Sequence, residues 1–155
     1  MTSAALPPHH PNCMGCGDEN PAGVGLRMER DGDRVRGSVT LDRRHEGAPG
    51  YAHGGAVSTI LDDALGMLLF ILRRPAVTAR LEVDFRLPAY LGHPFDVEAW
   101  VDAADGRKLW MRAELREDGE VIAEARSLFV AVDPQHFARG VEASAQHERG
   151  LDFPW

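Results

Sequence analysis

Cysteine is nearly absent: Cys13 and Cys16 are the only two in the chain, which rules out the disulfide framework of a small secreted domain. Basic residues are also short, 17 against 24 acidic for a net charge of -7. That balance argues against nucleic acid as the main partner, although a local basic patch can still hold a phosphate-bearing ligand. The first residues, MTSAALPPHHPN, lack the charged n-region and apolar h-region of a secretory leader. The apolar run Ala64–Leu72 is too short for a membrane span and has Asp62 and Asp63 at its flank. No internal repeat and no low-complexity linker is visible. These absences predict a cytoplasmic protein with one main domain, 155 residues being enough for a sizeable core.

What is present is one dominant segment, YAHGGAVSTILDDALGMLLFIL, at Tyr51–Leu72. From Ala56 onward it favours helix. Val57, Ile60, Leu61, Ala64, Leu65, Leu68, Leu69 and Leu72 keep the 3.6 period, and the opposite side is apolar too, which predicts a buried helix. Its internal polar residues, Ser58, Thr59, Asp62 and Asp63, form one narrow stripe. A carboxylate on a buried helix needs a partner or a function, because desolvating its charge without compensation is costly. A solvent-facing aspartate, or a structural Ser58–Asp62 pair, accounts for the stripe equally well. The pattern alone does not choose between the two aspartates.

His53, Gly54 and Gly55 stand just before this helix. Two glycines let the backbone approach another group closely and leave amide N–H groups free at the helix start. With the positive end of the helix dipole, those amides make a site for an anion or a developing oxyanion. A glycine pair is also a common turn; the aspartates two turns later make it a candidate site.

The remaining segments read as strands. Val24–Arg30 and Arg34–Leu41 alternate around Asp31-Gly32-Asp33, a hairpin. Asp42–Gly50 is a loop whose His45 and Glu46 are expected at the surface. Four further strands are predicted at Ala76–Leu87, Pro94–Ala103, Lys108–Glu117 and Val121–Val132, with Asp105-Gly106 and Asp118-Gly119 as hairpin signals. The expected division is an N-terminal arm over 1–22, a folded domain over 23–133 and a polar tail over 134–155. That tail ends in Phe153-Pro154-Trp155 and either docks or stays loose. The order β-β-α-β-β-β-β predicts an α+β hotdog architecture, a six-stranded antiparallel sheet wrapped around one long helix. A lone protomer leaves a sheet edge and one helix end uncovered, which favours a dimer.

In the arm, Cys13-Met14-Gly15-Cys16 is half of a zinc pattern. No second CxxC exists, and the adjacent His9 and His10 are badly spaced for chelation. Nothing places the motif at a helix start after a strand, as thioredoxin-like redox chemistry requires. Two packed thiols are the expectation, and no metal.

Several of these stretches together resemble the PaaI-type hotdog thioesterases, in the branch that includes thioesterase superfamily member 4. The resemblance rests on EGAPGYAHGGAVSTILD at Glu46–Asp62, TARLEVDF at Thr78–Phe85, Gly106-Arg107-Lys108 and EARSLFV at Glu124–Val130, and covers roughly residues 12–136. It implies that Asp62, nine positions after His53, is the acidic residue of catalysis and Asp63 a neighbour with a structural or solvent role. It further implies that the Gly54 amide polarises the thioester carbonyl, that His53 shapes its loop, and that Thr78 helps to orient the attacking water. Asp62 acts in that pattern as general base or as a nucleophile giving an anhydride. The substrate implied is an acyl-CoA and no cofactor is needed. The site implied lies at the interface of a homodimer, alone or paired into a tetramer, with Asp62 and Gly54 from different protomers. Some members carry an asparagine six residues before the histidine; here that position is Gly47, which leaves a second oxyanion donor unassigned. Met67, Phe70 and Leu65 are candidates for an acyl-chain wall. Arg80, Arg86, Arg107 and Lys108 are candidates for CoA phosphates, though core packing and solvated charge explain these residues too.

Two other functions use the same fold. A hotdog hydratase or dehydratase would need a catalytic histidine that HGG with Asp62 does not match. A non-catalytic acyl-CoA sensor would have no need of the Asp62, Gly54 and Thr78 set.

Overall fold

Alternation and turn chemistry set the sheet. The computed structural model describes residues 3–149. Its strands are β1 (Ala4–Ala5), β2 (Arg27–Asp31), β3 (Arg34–Thr40), β4 (Ala76–Phe85), β5 (Pro94–Asp105), β6 (Lys108–Glu117) and β7 (Glu120–Ala131). They form one antiparallel sheet in the order β1-β2-β3-β5-β6-β7-β4. The sheet therefore has seven strands and not six. The extra one is a two-residue piece of the arm, Ala4–Ala5, laid against Arg30 and Glu29; a stretch so short carries no alternation to read.

The two Asp-Gly pairs behave differently. Asp118 and Gly119 are the two central residues of the β6–β7 turn, with φ of 49° and 83°, the geometry that suits the twist of a two-residue hairpin. Asp105 instead ends β5 opposite Lys108, so the β5–β6 turn is Gly106-Arg107. In β4 the register slips between Thr78 and Arg80, leaving Ala79 as a bulge.

Helix α1 runs Gly54–Leu72, two residues longer at its start than periodicity suggests. Nineteen residues of this composition satisfy the length and hydropathy of a membrane span. Here the helix instead lies across strands β2 to β7. Ile60, Leu61, Ala64, Leu65 and Leu68 are buried against Phe95, Leu109, Met111 and Leu115 of the sheet. Leu65 and Met67, candidates for an acyl wall, are wholly enclosed in this core. The helix stops where Arg73 turns left-handed, at φ 50°, and Pro75 follows.

The tail forms helix α2 (Gln135–Arg149), and its residues 135–146 are all exposed. The expectation for Phe153-Pro154-Trp155 falls outside the described residues.

Charges on the outer face pair across strands. Arg34 of β3 donates to Glu98 of β5 at 2.7 Å, and Arg36 does so at 3.3 Å. Partial burial acts to raise the Glu98 pKa, but the Arg34 hydrogen bond and both guanidinium charges outweigh it and hold the group below its ordinary 4.5. A depressed folded pKa means that the contribution is complete above the ordinary value and lost as pH falls through the folded one. Glu98→Gln is therefore expected to lower stability by about 0.5–1 kcal/mol at neutral pH. In urea titrations the gap between wild type and variant should close under acid conditions. A gap that persists there would mean that the loss is in packing.

Candidate active site

The polar stripe of α1 ends in two carboxylates that the fold separates completely. Asp62 turns toward β4, where Thr78 Oγ1 donates to its Oδ1 at 2.8 Å. Ser58 and Thr59 take no part: each returns its hydroxyl to the carbonyl four residues back, Gly54 and Gly55 respectively, at 2.9 Å. Asp62 Oδ2 has no protein partner among the described residues. Burial raises the Asp62 pKa above the ordinary carboxylate range, and the Thr78 hydroxyl only partly offsets it.

Asp63 turns the other way, into the N-terminal arm. His9 Nδ1 lies 3.1 Å from its Oδ1, and Cys13 Sγ 3.2 Å from the same oxygen. Burial of His9 disfavours the imidazolium, yet the adjacent Asp63 carboxylate prevails and raises it to about 9. Burial acts to raise Asp63 in turn, and the His9 hydrogen bond and charge bring it below the usual range. The sequence reading assigns Asp63 only a structural or solvent role; its partners lie some fifty residues away in the chain, where no local pattern points to them.

At the other end of the helix, His53 is the N-cap. Its Nδ1 accepts from the Gly55 N–H at 2.8 Å, and its carbonyl accepts from Ala56 and Val57. The Gly54 N–H donates to nothing among the described residues, so of the two glycine amides only this one is left for a ligand. A cleft of about 450 Å³ opens beside it, lined by Tyr51, Gly54, Val57, Phe85 and Leu87. Tyr51, Phe85 and Leu87 are exposed. The sequence reading missed this wall; the signal available was large apolar residues in stretches bracketing the helix.

The loop before the helix is fixed from below. His45 is buried, contrary to the expected surface role, because Nε2–H is shared between the Ala22 and Gly23 carbonyls at 3.2 and 3.1 Å. The His45 carbonyl then accepts from the His53 N–H at 2.8 Å, which ties the arm to the HGG loop. Glu46 accepts from the Gly50 N–H at 2.8 Å. A Cβ at Gly47 would sit 3.0 Å from His53 Cα, so a longer side chain such as asparagine has no room here without a backbone shift.

The basic candidates are dispersed. Arg80 pairs with Glu82, Arg86 with Glu124, and Arg107 bonds the Ala131 carbonyl. Phe70 is exposed and stacks on His9 at 5.3 Å between centroids.

The structure thus brings Asp62 and Thr78 together at mid-helix and His53 and Gly54 together at its start. Gly54 and Asp62 are eight residues apart on one helix, roughly 12 Å along its axis.

Known proteins resemble this chain in sequence and in fold. A profile of the thioesterase superfamily matches residues 49–124. Acyl-coenzyme A thioesterase THEM4 of Xenopus laevis is 33% identical over 91 residues, 57% of this chain and 41% of that protein. A Pseudomonas aeruginosa protein named as a candidate esterase is 32% identical over 95 residues, 59% of this chain and 71% of that one. A crystal structure of a thioesterase superfamily protein superposes with a TM-score of 0.70 at 33% identity, over 74% of this chain and 60% of the other. The Escherichia coli PaaI protein shares the fold at 17% identity, with a TM-score of 0.65 over 69% of this chain and 83% of its own. This chain spans about two fifths of the length of the THEM4 proteins it matches, 41% and 38% in two of them.

Close approach of the arm to α1 depends on Gly15, where a Cβ would fall 2.1 Å from Asp63 Cγ. Gly15→Ala is expected to cost about 1–3 kcal/mol through overpacking, read as a lower urea midpoint with an unchanged slope. Wild-type stability in this variant would mean that the arm does not pack on Asp63.

Proposed function

The chain belongs to the thioesterase superfamily, and we propose that it hydrolyses an acyl-CoA thioester to the free acid and CoA. The observation that carries this reading is the Asp62–Thr78 pair. A carboxylate raised by burial is held by one oxygen on a strand hydroxyl, with the second oxygen left for water. A base whose pKa is moved toward neutrality takes a proton from water more readily as the oxygen attacks.

Attack on the thioester carbonyl pushes charge onto its oxygen, and an unused N–H at a helix N-terminus stabilises that charge. Gly54 supplies such an amide. His53 acts through the backbone: by occupying the Gly55 N–H it caps the first turn and leaves Gly54 as the donor. The apolar cleft at Tyr51, Phe85 and Leu87 suits an acyl chain. Thr78 positions Asp62 and reaches water only through it.

A carbonyl bound to the Gly54 amide and attacked by a water held on Asp62 must lie close to both, and the two stand roughly 12 Å apart on one rigid helix. The reading therefore includes a second copy of the chain, whose Gly54 faces the first copy's Asp62. β4 is an edge strand of ten residues, long enough to pair with its counterpart and continue the sheet.

The experiment is free-thiol release from a panel of acyl-CoAs. Asp62→Asn is expected to lower kcat/KM by about 10²–10⁴ on any substrate turned over. Saturable acyl-CoA binding without thiol release from wild type would replace the enzyme with a sensor.

Gly54→Pro tests the oxyanion donor, since proline is tolerated at the first helical position and carries no N–H. It should cost about 10²–10³ in kcat. Co-expressing Asp62→Asn with Gly54→Pro should recover part of the activity, because a mixed dimer contains one site with both groups intact. Two inactive variants that stay inactive together, although mixed dimers form, would overturn the shared site.

A further inference from the structure

The arm and the back of α1 enclose four groups that the hydrolysis does not use. His9, Cys13, Cys16 and Asp63 each bring one donor atom to a common point, and these atoms all lie within 4.8 Å of one another. Three separations are shorter still. His9 Nδ1 is 3.1 Å from Asp63 Oδ1 and 3.2 Å from Cys16 Sγ, and Cys13 Sγ is 3.2 Å from Asp63 Oδ1. Zinc bonds of about 2.0–2.3 Å to nitrogen, oxygen and sulfur imply tetrahedral edges of roughly 3.3–3.8 Å. Three edges of the cluster fall just short of that range, and the other three lie within 4.8 Å.

A second, independent observation points the same way. The Asp63 side chain is 9% exposed, and its Oδ2 is buried with no hydrogen-bond partner among the described residues. A buried carboxylate oxygen without a donor is costly, and a cation held at the cluster would lower that cost more than the His9 contact to Oδ1 alone.

We propose that His9, Cys13, Cys16 and Asp63 form a structural zinc site that clamps the N-terminal arm onto α1. Two thiolates with an imidazole and a carboxylate favour zinc over magnesium or calcium, which prefer all-oxygen shells. Four protein ligands close the coordination sphere, so the site holds structure and offers no position for substrate. Each thiol, and the His9 ring at Nδ1, gives up a proton to solvent as the metal binds.

The surroundings fit the role. Gly15, between the cysteines, is the residue whose missing Cβ lets the loop reach Asp63. The loop is braced by backbone bonds Gly17 N to Cys13 O, Val24 N to Met14 O and Leu26 N to Gly15 O, each 2.9 Å. Gly66, one turn beyond Asp63, leaves room for the His9 ring, which a Cβ there would meet at 3.2 Å. The sequence reading set the CxxC aside because no second pair follows it. The fold supplies the missing ligands from a histidine on the same arm and an aspartate on a distant helix. This proposal stands whether or not the chain hydrolyses thioesters.

The test uses untagged full-length protein from zinc-supplemented cells, assayed for metal, stripped with a chelator, and reconstituted with cobalt(II). The expected result is roughly one zinc per chain, a lower Tm on stripping, and tetrahedral cobalt bands with thiolate-to-cobalt charge transfer. Because the chain has only two cysteines, a charge-transfer band assigns the site on wild type alone, even if a variant fails to fold. Cys13→Ser and Cys16→Ser should each weaken metal retention at least tenfold. Wild type that is zinc-free and gives no charge-transfer band with cobalt would overturn the proposal. So would zinc retained in full by the folded Cys16→Ser variant.

Discussion

Placing two adjacent carboxylates on the buried face of one helix is the constraint on which the rest of the molecule turns. Asp62 and Asp63 are the only charged residues between Gly54 and Leu72. Burial penalises both, and neither can be neutralised by the other. The fold resolves the problem by sending them in opposite directions. Asp62 receives a single neutral hydroxyl, which compensates it incompletely and leaves its pKa raised. Asp63 receives a cationic ring and two thiols, which fix it. The same residue type thus ends with two chemistries, and the difference lies wholly in what the sheet and the arm bring up to it.

That division explains why the arm belongs to the folded body. Leu6, Cys13 and Cys16 pack with the core, β1 extends the sheet, and His45 holds the Ala22 and Gly23 carbonyls. From His45 the connection runs by one backbone bond to His53, the residue that caps α1. Arm, HGG loop and helix start are therefore one hydrogen-bonded unit. The cap that frees the Gly54 amide is supported from the far side of the molecule.

Most of the architecture was legible because it follows from period and turn chemistry. The helix, the six longer strands and the hotdog arrangement all come from apolar spacing and Asp-Gly or Gly-Asp turns. What escaped reading is non-local. A loop histidine such as His45 looks exposed until two carbonyls from the arm close over it. Successive residues on a helix point about 100° apart, so period alone could not say which aspartate met the strand and which the arm. Choosing Asp62 needed family resemblance. The Asp63 cluster needed coordinates, since its ligands come from positions 9, 13, 16 and 63 and share no local motif. The two-residue β1 had no pattern to find.

The bulge at Ala79 has a consequence for how such a chain can change over time. Before it, even-numbered residues face the helix, as Thr78 does; after it, the partly buried residues are the odd-numbered Leu81 and Val83. The bulge is a parity switch. Removing Ala79 would leave Thr78 opposite Phe129 and Arg80 opposite Leu128, now as consecutive pairs of an unbroken ladder. Thr78, Leu81 and Val83 would then all keep the face they hold. The bulge is therefore a point where the chain can shorten by one codon without turning either the apolar set or the Thr78 hydroxyl away from the helix.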